Sequence, residues 1–449
     1  MGNSALSPLS QFRRGVIVVA LLLIYAFAAN ALLGLLYRNG YYEALIRLRD
    51  EGPHHLPGSS NPILTRYTGI GFLDKLLTLA SVMFANVTDG NAPGLSLYAF
   101  HFGGQYLAIL VVIAIEGLRS GNQSSPLRFF SIWGTLMQAT SYGCTMPLYG
   151  MIHLLTSPTA EEFGSGLLEA VPTSKPSELS ALPQAFMLGY VLPATLMSVP
   201  LFPNVLHQWF GGLWQGSPIF TMLISKLLAI RTKPQLSHEL RNRQTVPRPG
   251  LKQPPAEGSQ SPVLLARAQE KDLLAKAYLF AFVWCVMSQL IPLILIAAVR
   301  LYPSAFPSRL HEAWTIFNVF VPPPFWSTEK MESMATGMHD FFLYDQYVGT
   351  TAAIVWSAAL YVNSKDMPMK PRNWAKLAFI VAVLSVATGP AGAVVWLMWE
   401  RDQTLLSIQG KRLLSRSRLT EVWPGKNNRT QTKDDRPCRL TQTSRYPDI

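Results

Sequence analysis

The chain has 449 residues, of which 49% are hydrophobic and only 14% charged, and its mean hydropathy is +0.20. Soluble domains carry about 25% charged residues, and disordered segments lack the apolar surface that 22 Phe, 16 Tyr, 15 Met and 11 Trp provide here. Both classes are excluded, and the composition predicts an all-α, polytopic integral membrane protein. The net charge of +12 gathers in two stretches: nine Lys/Arg against four Asp/Glu from Arg231 to Lys276, and eleven against five from Arg401 to Ile449. Basic segments beside neutral apolar spans set topology and touch anionic lipid headgroups, so nucleic acid is not the implied partner. The three cysteines, Cys144, Cys285 and Cys438, are an odd number without metal-ligand spacing and indicate neither a disulfide framework nor a zinc site.

Crossing about 30 Å of hydrocarbon at 1.5 Å per residue takes about 20 apolar residues. The first such run, Gly15 to Leu36, follows Arg13 and Arg14 and reads as a retained anchor, being too long for a signal-peptide core. Further spans are predicted at about Ile70–Val87, Leu95–Glu116, Phe129–Leu155, Gln184–Phe202, Ala277–Val299, Phe341–Val362 and Leu377–Trp399, eight in all. Pro218–Ile230 contains Lys226, and Trp314–Trp326 ends in three prolines; both read as interfacial or re-entrant. These spans form one helical domain over 1–400, with a flexible basic loop at 231–276 and a polar basic tail at 401–449. Four basic segments want the same side of the membrane: the Arg119/Arg128 loop, 231–276, the 363–375 loop and the tail. Eight spans cannot satisfy all four unless an ambiguous element crosses. Of the sequons at Asn86, Asn122 and Asn428, only the last would report topology.

Ionisable groups within or beside apolar spans are costly and point to function. They are Asp74, Asp89, His101, Glu116, His153, Asp340 and Asp345. Each also has a plainer reading. Asp74 beside Lys75 and Glu116 near Arg119 suit interfacial pairing, Asp89 before Gly90 suits a turn, and His101 and His153 suit hydrogen-bonded helix packing. Asp345, flanked by a nearly uncharged run to Val362, resists such a reading most. A desolvated carboxylic acid stays protonated and can act as a Brønsted acid toward an epoxide or alkene. Aromatic side chains, among them Phe100, Phe102, Tyr106, Trp133, Tyr142, Tyr149, Phe341, Phe342 and Tyr344, can then line a dry cavity and stabilise carbocations with their ring faces. No Walker A loop, dinucleotide-binding glycine motif, HExxH, haem thiolate signature or Gly-x-Ser-x-Gly elbow is present. No cofactor or metal is therefore implied. The adjacent Asp434 and Asp435 lack the further carboxylates of a Mg²⁺-diphosphate site.

Several stretches, in order and spacing, resemble the integral membrane terpene cyclases of fungal meroterpenoid pathways, of the ascochlorin, ascofuranone and macrophorin type. They are Tyr-Thr-Gly-Ile-Gly-Phe-Leu-Asp-Lys-Leu-Leu at 67–77, Thr-Asp-Gly at 88–90, Phe-His-Phe-Gly-Gly-Gln at 100–105 and Glu-Gly-Leu-Arg-Ser-Gly-Asn at 116–122. Met-Pro-Leu-Tyr-Gly-Met-Ile-His-Leu-Leu-Thr-Ser-Pro at 146–158 and the Tyr-Asp-Gln-Tyr-Val-Gly-Thr-Thr-Ala-Ala run from 344 complete the set. The resemblance implies cyclisation of a farnesyl chain on an aromatic or quinone-like head, begun by protonation, in the endoplasmic reticulum membrane. It implies Glu116, Asp345, Asp74 and Asp89 as the acids, with Asp340 a further one. Phe100, His101, Tyr106, Tyr142 and Tyr344 are the expected cavity residues, and the expected partners are a prenylated aromatic substrate and the lipid bilayer. Two other classes stay open from the residues alone: a carrier of an apolar metabolite, for which the acids would couple protons, and a non-catalytic membrane scaffold.

Overall fold

A computed structural model describes residues 8–245, 262–365 and 370–422. The proline-rich stretch from Pro247 to Gly258, Asn428, Asp434, Asp435 and Cys438 lie outside the described residues. The described chain is all-α, with no strand. The helices used below are α1 (Pro8–Ala28, continued to Arg38), α2 (Tyr41–Asp50), α3 (Gly71–Thr88), α4 (Pro93–Gly117), α5 (Phe130–Ala139) and α6 (Tyr142–Thr156). They continue with α7 (Pro176–Phe186, extended through Met187–Val191 to Ser198), α8 (Asn204–Gln215), α9 (Ser217–Thr245) and α10 (Pro262–Leu301). The last are α11 (Met334–Asn363), α12 (Pro371–Thr388) and α13 (Pro390–Val422).

Helix α4 is the axis of the bundle. Its 25 residues carry apolar side chains on all sides, and from Gln105 to Gly117 every one is buried, as expected of a helix surrounded by others. It starts at Pro93, which lacks the N–H that a first-turn residue would leave unpaired. The outer helices turn apolar residues outward instead, as with Leu22, Leu23 and Phe27 on α1 and Phe379 and Val386 on α12.

Among the described residues four helices are long and apolar enough to cross a membrane: Gln11–Arg38, Pro93–Gly117, Pro176–Ser198 and Val263–Leu301. The pair α8 and α9, bent by 69°, makes a fifth if counted as one span. This is fewer than the eight predicted, for identifiable reasons. The expected span at Phe129–Leu155 is two helices of 10 and 15 residues, α5 and α6, about 15 and 22 Å long. Both outer ends lie near the same loop: Trp133 Nε1 donates to Pro126 O at the start of α5, and Ser157 Oγ to Asn122 Oδ1 after α6. The pair is thus a hairpin whose tip at Thr140–Ser141 turns the exposed Thr140 outward and the buried Ser141 inward. The expected span at Leu377–Trp399 is likewise broken, at Gly389, whose φ of +80° suits glycine. Helix α11 is diluted by Tyr, Thr, Ser and Gln, and α3 carries Asp74 and Lys75 in its first turn. Pro218–Ile230, expected to be interfacial or re-entrant, is part of the bent α8/α9 pair, whose 69° bend suits a broken span or a re-entrant loop. The basic 231–276 segment is not a single flexible loop, since α9 runs to Thr245 and α10 starts at Pro262.

These corrections remove the topological conflict. Arg13 on α1 bonds Glu162 and Asn363, the last residue of α11, and Asn363 reaches Ala160 O. Arg401 on α13 contacts Glu116 at the end of α4, Ser174 before α7 bonds Leu118 O, and Thr232 of α9 reaches Ser177 O. Thr173 beside them takes Glu270, near the start of α10, as its acceptor. The start of α1, the Arg119/Arg128 loop, the outgoing α9, the incoming α10, the end of α11 and the charged part of α13 therefore share one end of the bundle, called here the Glu116 end.

Gln105 fastens the broken α12/α13 turn to α4. Its Nε2 donates to Cys285 O, Ser288 Oγ and Thr388 O at 3.0–3.1 Å, and its Oε1 accepts from Ala391 N at 3.0 Å. Replacing it strands the Ala391 N–H at the start of α13 without water. Gln105→Leu is expected to cost about 2–4 kcal/mol, the range for one or two buried polar groups left unpaired, read as a lower thermal midpoint of the purified protein in detergent.

Candidate functional site

Six aromatic rings from five segments form a closed circuit in the bundle interior. In order they are Phe102 and Tyr106 of α4, Tyr190 in the wide turn after α7, Trp214 of α8, Phe84 of α3 and Phe342 of α11. Successive centroids are 5.9, 6.3, 5.5, 5.3 and 5.7 Å apart, and Phe342 returns to Phe102 at 5.4 Å. A seventh ring, Tyr142 at the hairpin tip, packs on Tyr106 at 5.3 Å and Phe102 at 6.3 Å. Helical spacing aligns these groups: Phe102 and Tyr106 are four residues apart, and Phe342 and Asp345 three.

Asp345 is 5% exposed and stands beside this circuit. Its Oδ1 accepts from Ser141 Oγ at 2.5 Å and from the Gly143 N–H at 2.7 Å, the two residues that flank Tyr142. Ser141 also caps α6 by accepting from Cys144 N, so the turn that starts the helix also grips the acid. Gly143 permits this approach, since a Cβ there would meet Asp345 O and Oδ1 at 3.2 Å. The Tyr142 backbone N–H is a third donor to this carboxyl, and no cation pairs with it among the described residues. In the circuit itself, Tyr106 Oη and Trp214 Nε1 are buried donors without partners. Buried polar groups are nearly always paired, and these two are among several buried polar atoms without a partner in the bundle.

The other expected residues fall elsewhere. His101 Nε2 accepts from Gln346 Nε2 (2.8 Å) and its Nδ1 donates to Ser288 O (3.1 Å), linking α4, α10 and α11 beside the circuit. Phe100 is 40% exposed on the outer side of α4. Tyr344 packs with Ala28, Leu32 and Leu35 of the first helix and donates to Pro323 O. Asp74, in the first turn of α3, ties down the preceding loop: it accepts from the N–H groups of Tyr67, Thr68 and Gly69 and from Thr68 Oγ1, all at 2.6–3.1 Å. These four donors hold the Asp74 carboxyl below its ordinary pKa. Asp89 is an exposed turn residue bonded to Asn86 and Asn91. Asp340 is half-buried on α11, with no hydrogen bond or ion pair among the described residues.

Glu116 belongs to a second, ionic centre at its own end of the bundle. Its Oε1 is 3.1 Å from both Arg119 Nε and Arg401 Nη1, and its Oε2 is 3.2 Å from His153 Nε2 and 3.1 Å from Thr159 Oγ1. Arg119 continues to Asp402, which also accepts from Tyr278 Oη at 2.6 Å. Glu116, Arg119, His153, Arg401 and Asp402 are all fully buried. Two carboxylates face two guanidiniums, so the charges balance. The sequence gives no hint that Arg401 and Asp402, placed at the head of a polar tail, are core residues. Ser141, Phe84, Tyr190 and Trp214 are likewise singled out only by the fold. Among the described residues no three His, Cys, Asp or Glu side chains are placed to hold a metal ion.

A family model described as the CtvD domain matches residues 17–406. The chain belongs to this family. The matched region of this CtvD-domain protein takes in the aromatic circuit and ends just beyond Asp402. It is 27% identical to the terpene cyclase ctvD of Aspergillus terreus over 85% of this chain and 98% of that one. To the terpene cyclase penA of Penicillium crustosum it is 25% identical over 81% and 89%, and to the terpene cyclase ascI of Acremonium egyptiacum 27% over 80% and 85%. The resemblance to fungal meroterpenoid cyclases is thus borne out at the level of the family. No solved structure matches the chain.

The ionic centre sets up a test of its own. Arg401→Met leaves Glu116 and Asp402 undercompensated in the core and is expected to destabilise by about 3–5 kcal/mol. Arg401→Met combined with Glu116→Leu is expected to recover part of that loss, because the pair is removed together. Thermal unfolding of the two variants in detergent gives the comparison.

Proposed function

We propose that the protein is a membrane-embedded terpene cyclase of the endoplasmic reticulum in which Asp345 is the proton donor. On this reading the aromatic circuit holds a prenyl chain, most simply a farnesyl chain, borne on an aromatic or quinone-like head. The observation that carries it is the pairing of an uncompensated, buried carboxyl with an enclosure of seven aromatic rings. Ser141 and Gly143 donate to Oδ1, and on this reading the proton of the acid resides on Oδ2. Transfer of that proton to a terminal epoxide oxygen or alkene carbon leaves a cation at the tertiary carbon. The π electrons of the next double bond close the ring, and the charge moves along the chain. Aromatic faces around it favour the cation over water, which a dry enclosure excludes. Loss of a proton, or capture by a hydroxyl of the head followed by loss of its proton, ends the sequence, and the product keeps the mass of the substrate. The carboxylate left on Asp345 keeps its bonds to Ser141 and Gly143 until a proton returns. No metal has a part in this scheme.

Tyr106 Oη and Trp214 Nε1 fit the oxygen of the epoxide or of the head. Glu116, saturated by two arginines, supports the fold on this reading and does not donate. Asp74 and Asp89 hold helix ends, and Asp340 is outside the contacts described for the circuit.

The test is incubation of microsomes containing the protein with a farnesylated phenol and with its terminal epoxide, followed by mass and retention time. Wild type is expected to yield an isomer of unchanged mass. Asp345→Asn is expected to lower its formation by about 10²–10⁴-fold, the usual worth of a general acid, with the protein still accumulating. Glu116→Gln is expected to lower the amount of folded protein while sparing turnover per folded molecule. An Asp345→Asn variant that cyclises at the wild-type rate overturns the assignment.

Tyr106→Phe keeps the ring and removes the idle hydroxyl. It is expected to weaken substrate binding or turnover by roughly 5–30-fold, as for one buried hydrogen bond, with no loss of stability. Kinetics on the same substrates, beside a melting curve, check this.

A further inference from the structure

A cleft of ≈ 250 Å³ opens at the Glu116 end, between the last turn of α4, the Gln123–Phe130 segment, the start of α7 and the middle of α9. Its polar rim carries three cations, Arg128, Lys175 and Lys226, against one carboxylate, Glu178. Lys175 pairs with Glu178 at 3.2 Å, which leaves the other two charges uncompensated. Arg128 is braced in place: its guanidinium lies 4.4 Å from the centre of the Phe129 ring, and Nη1 donates to Gln123 O at 2.8 Å. Lys226 has no partner among the described residues, although its surroundings are apolar. Phe220, Leu223, Leu227 and Ile230 of the same helix are 36–70% exposed around it. A lone ammonium on an apolar, outward-facing helix surface calls for an anion brought by the surroundings. The floor of the cleft, with Ala114, Leu118, Leu182 and Met222, is apolar, and Thr221 Oγ1 in its lining is buried without a hydrogen-bond partner.

This cleft is not the mouth of the aromatic circuit. Ala114 and Leu182 lie eight residues beyond Tyr106 and before Tyr190 on the same two helices, which is about 12 Å along each. The intervening layer is closed by Thr221 packed on Gly189 and Pro218 packed on Gly134. A ligand here therefore has its own site, with an anionic head at the rim and apolar chains below.

We propose that the cleft binds an acidic glycerophospholipid, its phosphate between Arg128 and Lys226 and its acyl chains against the floor and the outer faces of α5 and α9. A head of net negative charge complements the two surplus cations, whereas the ammonium of a zwitterionic choline head opposes them. The proposal rests on the membrane placement given above and is independent of the cyclisation chemistry.

The experiment is lipid retention by the purified full-length protein. Samples are reconstituted in nanodiscs holding equal amounts of phosphatidic acid and phosphatidylcholine, extracted into detergent, washed, and analysed by mass spectrometry of the bound lipid. Wild type is expected to retain phosphatidic acid in preference to phosphatidylcholine, and Arg128→Gln/Lys226→Gln to lose that preference by roughly 30-fold, the effect of two interfacial cations. Arg128→Lys/Lys226→Arg, which keeps both charges, is expected to restore it, and this excludes misfolding as the cause. Equal retention by wild type and the glutamine variant overturns the proposal. Displacement of the lipid by glycerol phosphate at matched concentration overturns it too, by identifying a free-phosphate site. Asp345→Asn is expected to leave retention unchanged, so failure of the cyclase reading and failure of this one are told apart.

Discussion

Two arginines and two carboxylates with no access to solvent set the terms for the rest of this bundle. Removing such ions from water costs several kcal/mol each, a cost recovered only when every partner is in place. Glu116 and Arg119 come from the end of α4, Arg401 and Asp402 from α13, and the hydroxyls and imidazole that complete the set come from α6, the turn after it and α10. The arrangement tolerates little sliding of one helix against another, because a shift of one residue along α4 would leave a charge unpaired. It thereby fixes the depth of α4, and with it the height at which Phe102 and Tyr106 present their rings.

A division of labour among the acids follows. On the reading proposed above, a carboxyl saturated with donors or cations, as at Asp74, Asp89 and Glu116, serves the fold. Asp345 differs in kind: its contacts are neutral donors from the hairpin tip, beside a circuit of aromatic rings. The distinction is one of partners and not of burial, since Glu116 is the more deeply buried of the two. Burial alone is thus a poor guide to reactivity in an apolar bundle, where ion pairs are as well hidden as catalytic groups.

The sequence reading reached the helical class and the family, because composition and motif order are local properties. It overcounted the spans for a local reason as well. A hydropathy run over Phe129–Leu155 is continuous through Thr140 and Ser141, and nothing in it says that the chain turns back there to grip Asp345. Arg401 and Asp402 were illegible for the opposite reason. They open a stretch rich in Lys and Arg, and only the partners waiting 285 residues earlier in the chain make them core residues. Tyr190 and Trp214 are two aromatics among many until five helices bring them into one circuit.

The order of residues along the chain gives the ionic centre a meaning for biosynthesis. Glu116 and Arg119 leave the ribosome early, whereas Arg401 and Asp402 are among the last helical residues to be made. Until α13 docks, the growing protein holds a carboxylate and a guanidinium in the core with half of their counter-ions missing. The centre consequently stays incomplete until translation has passed residue 402, and a chain that stops short leaves Glu116 and Arg119 with only each other in an apolar interior. The same four charges thus tie the core helix made early to the helix made last.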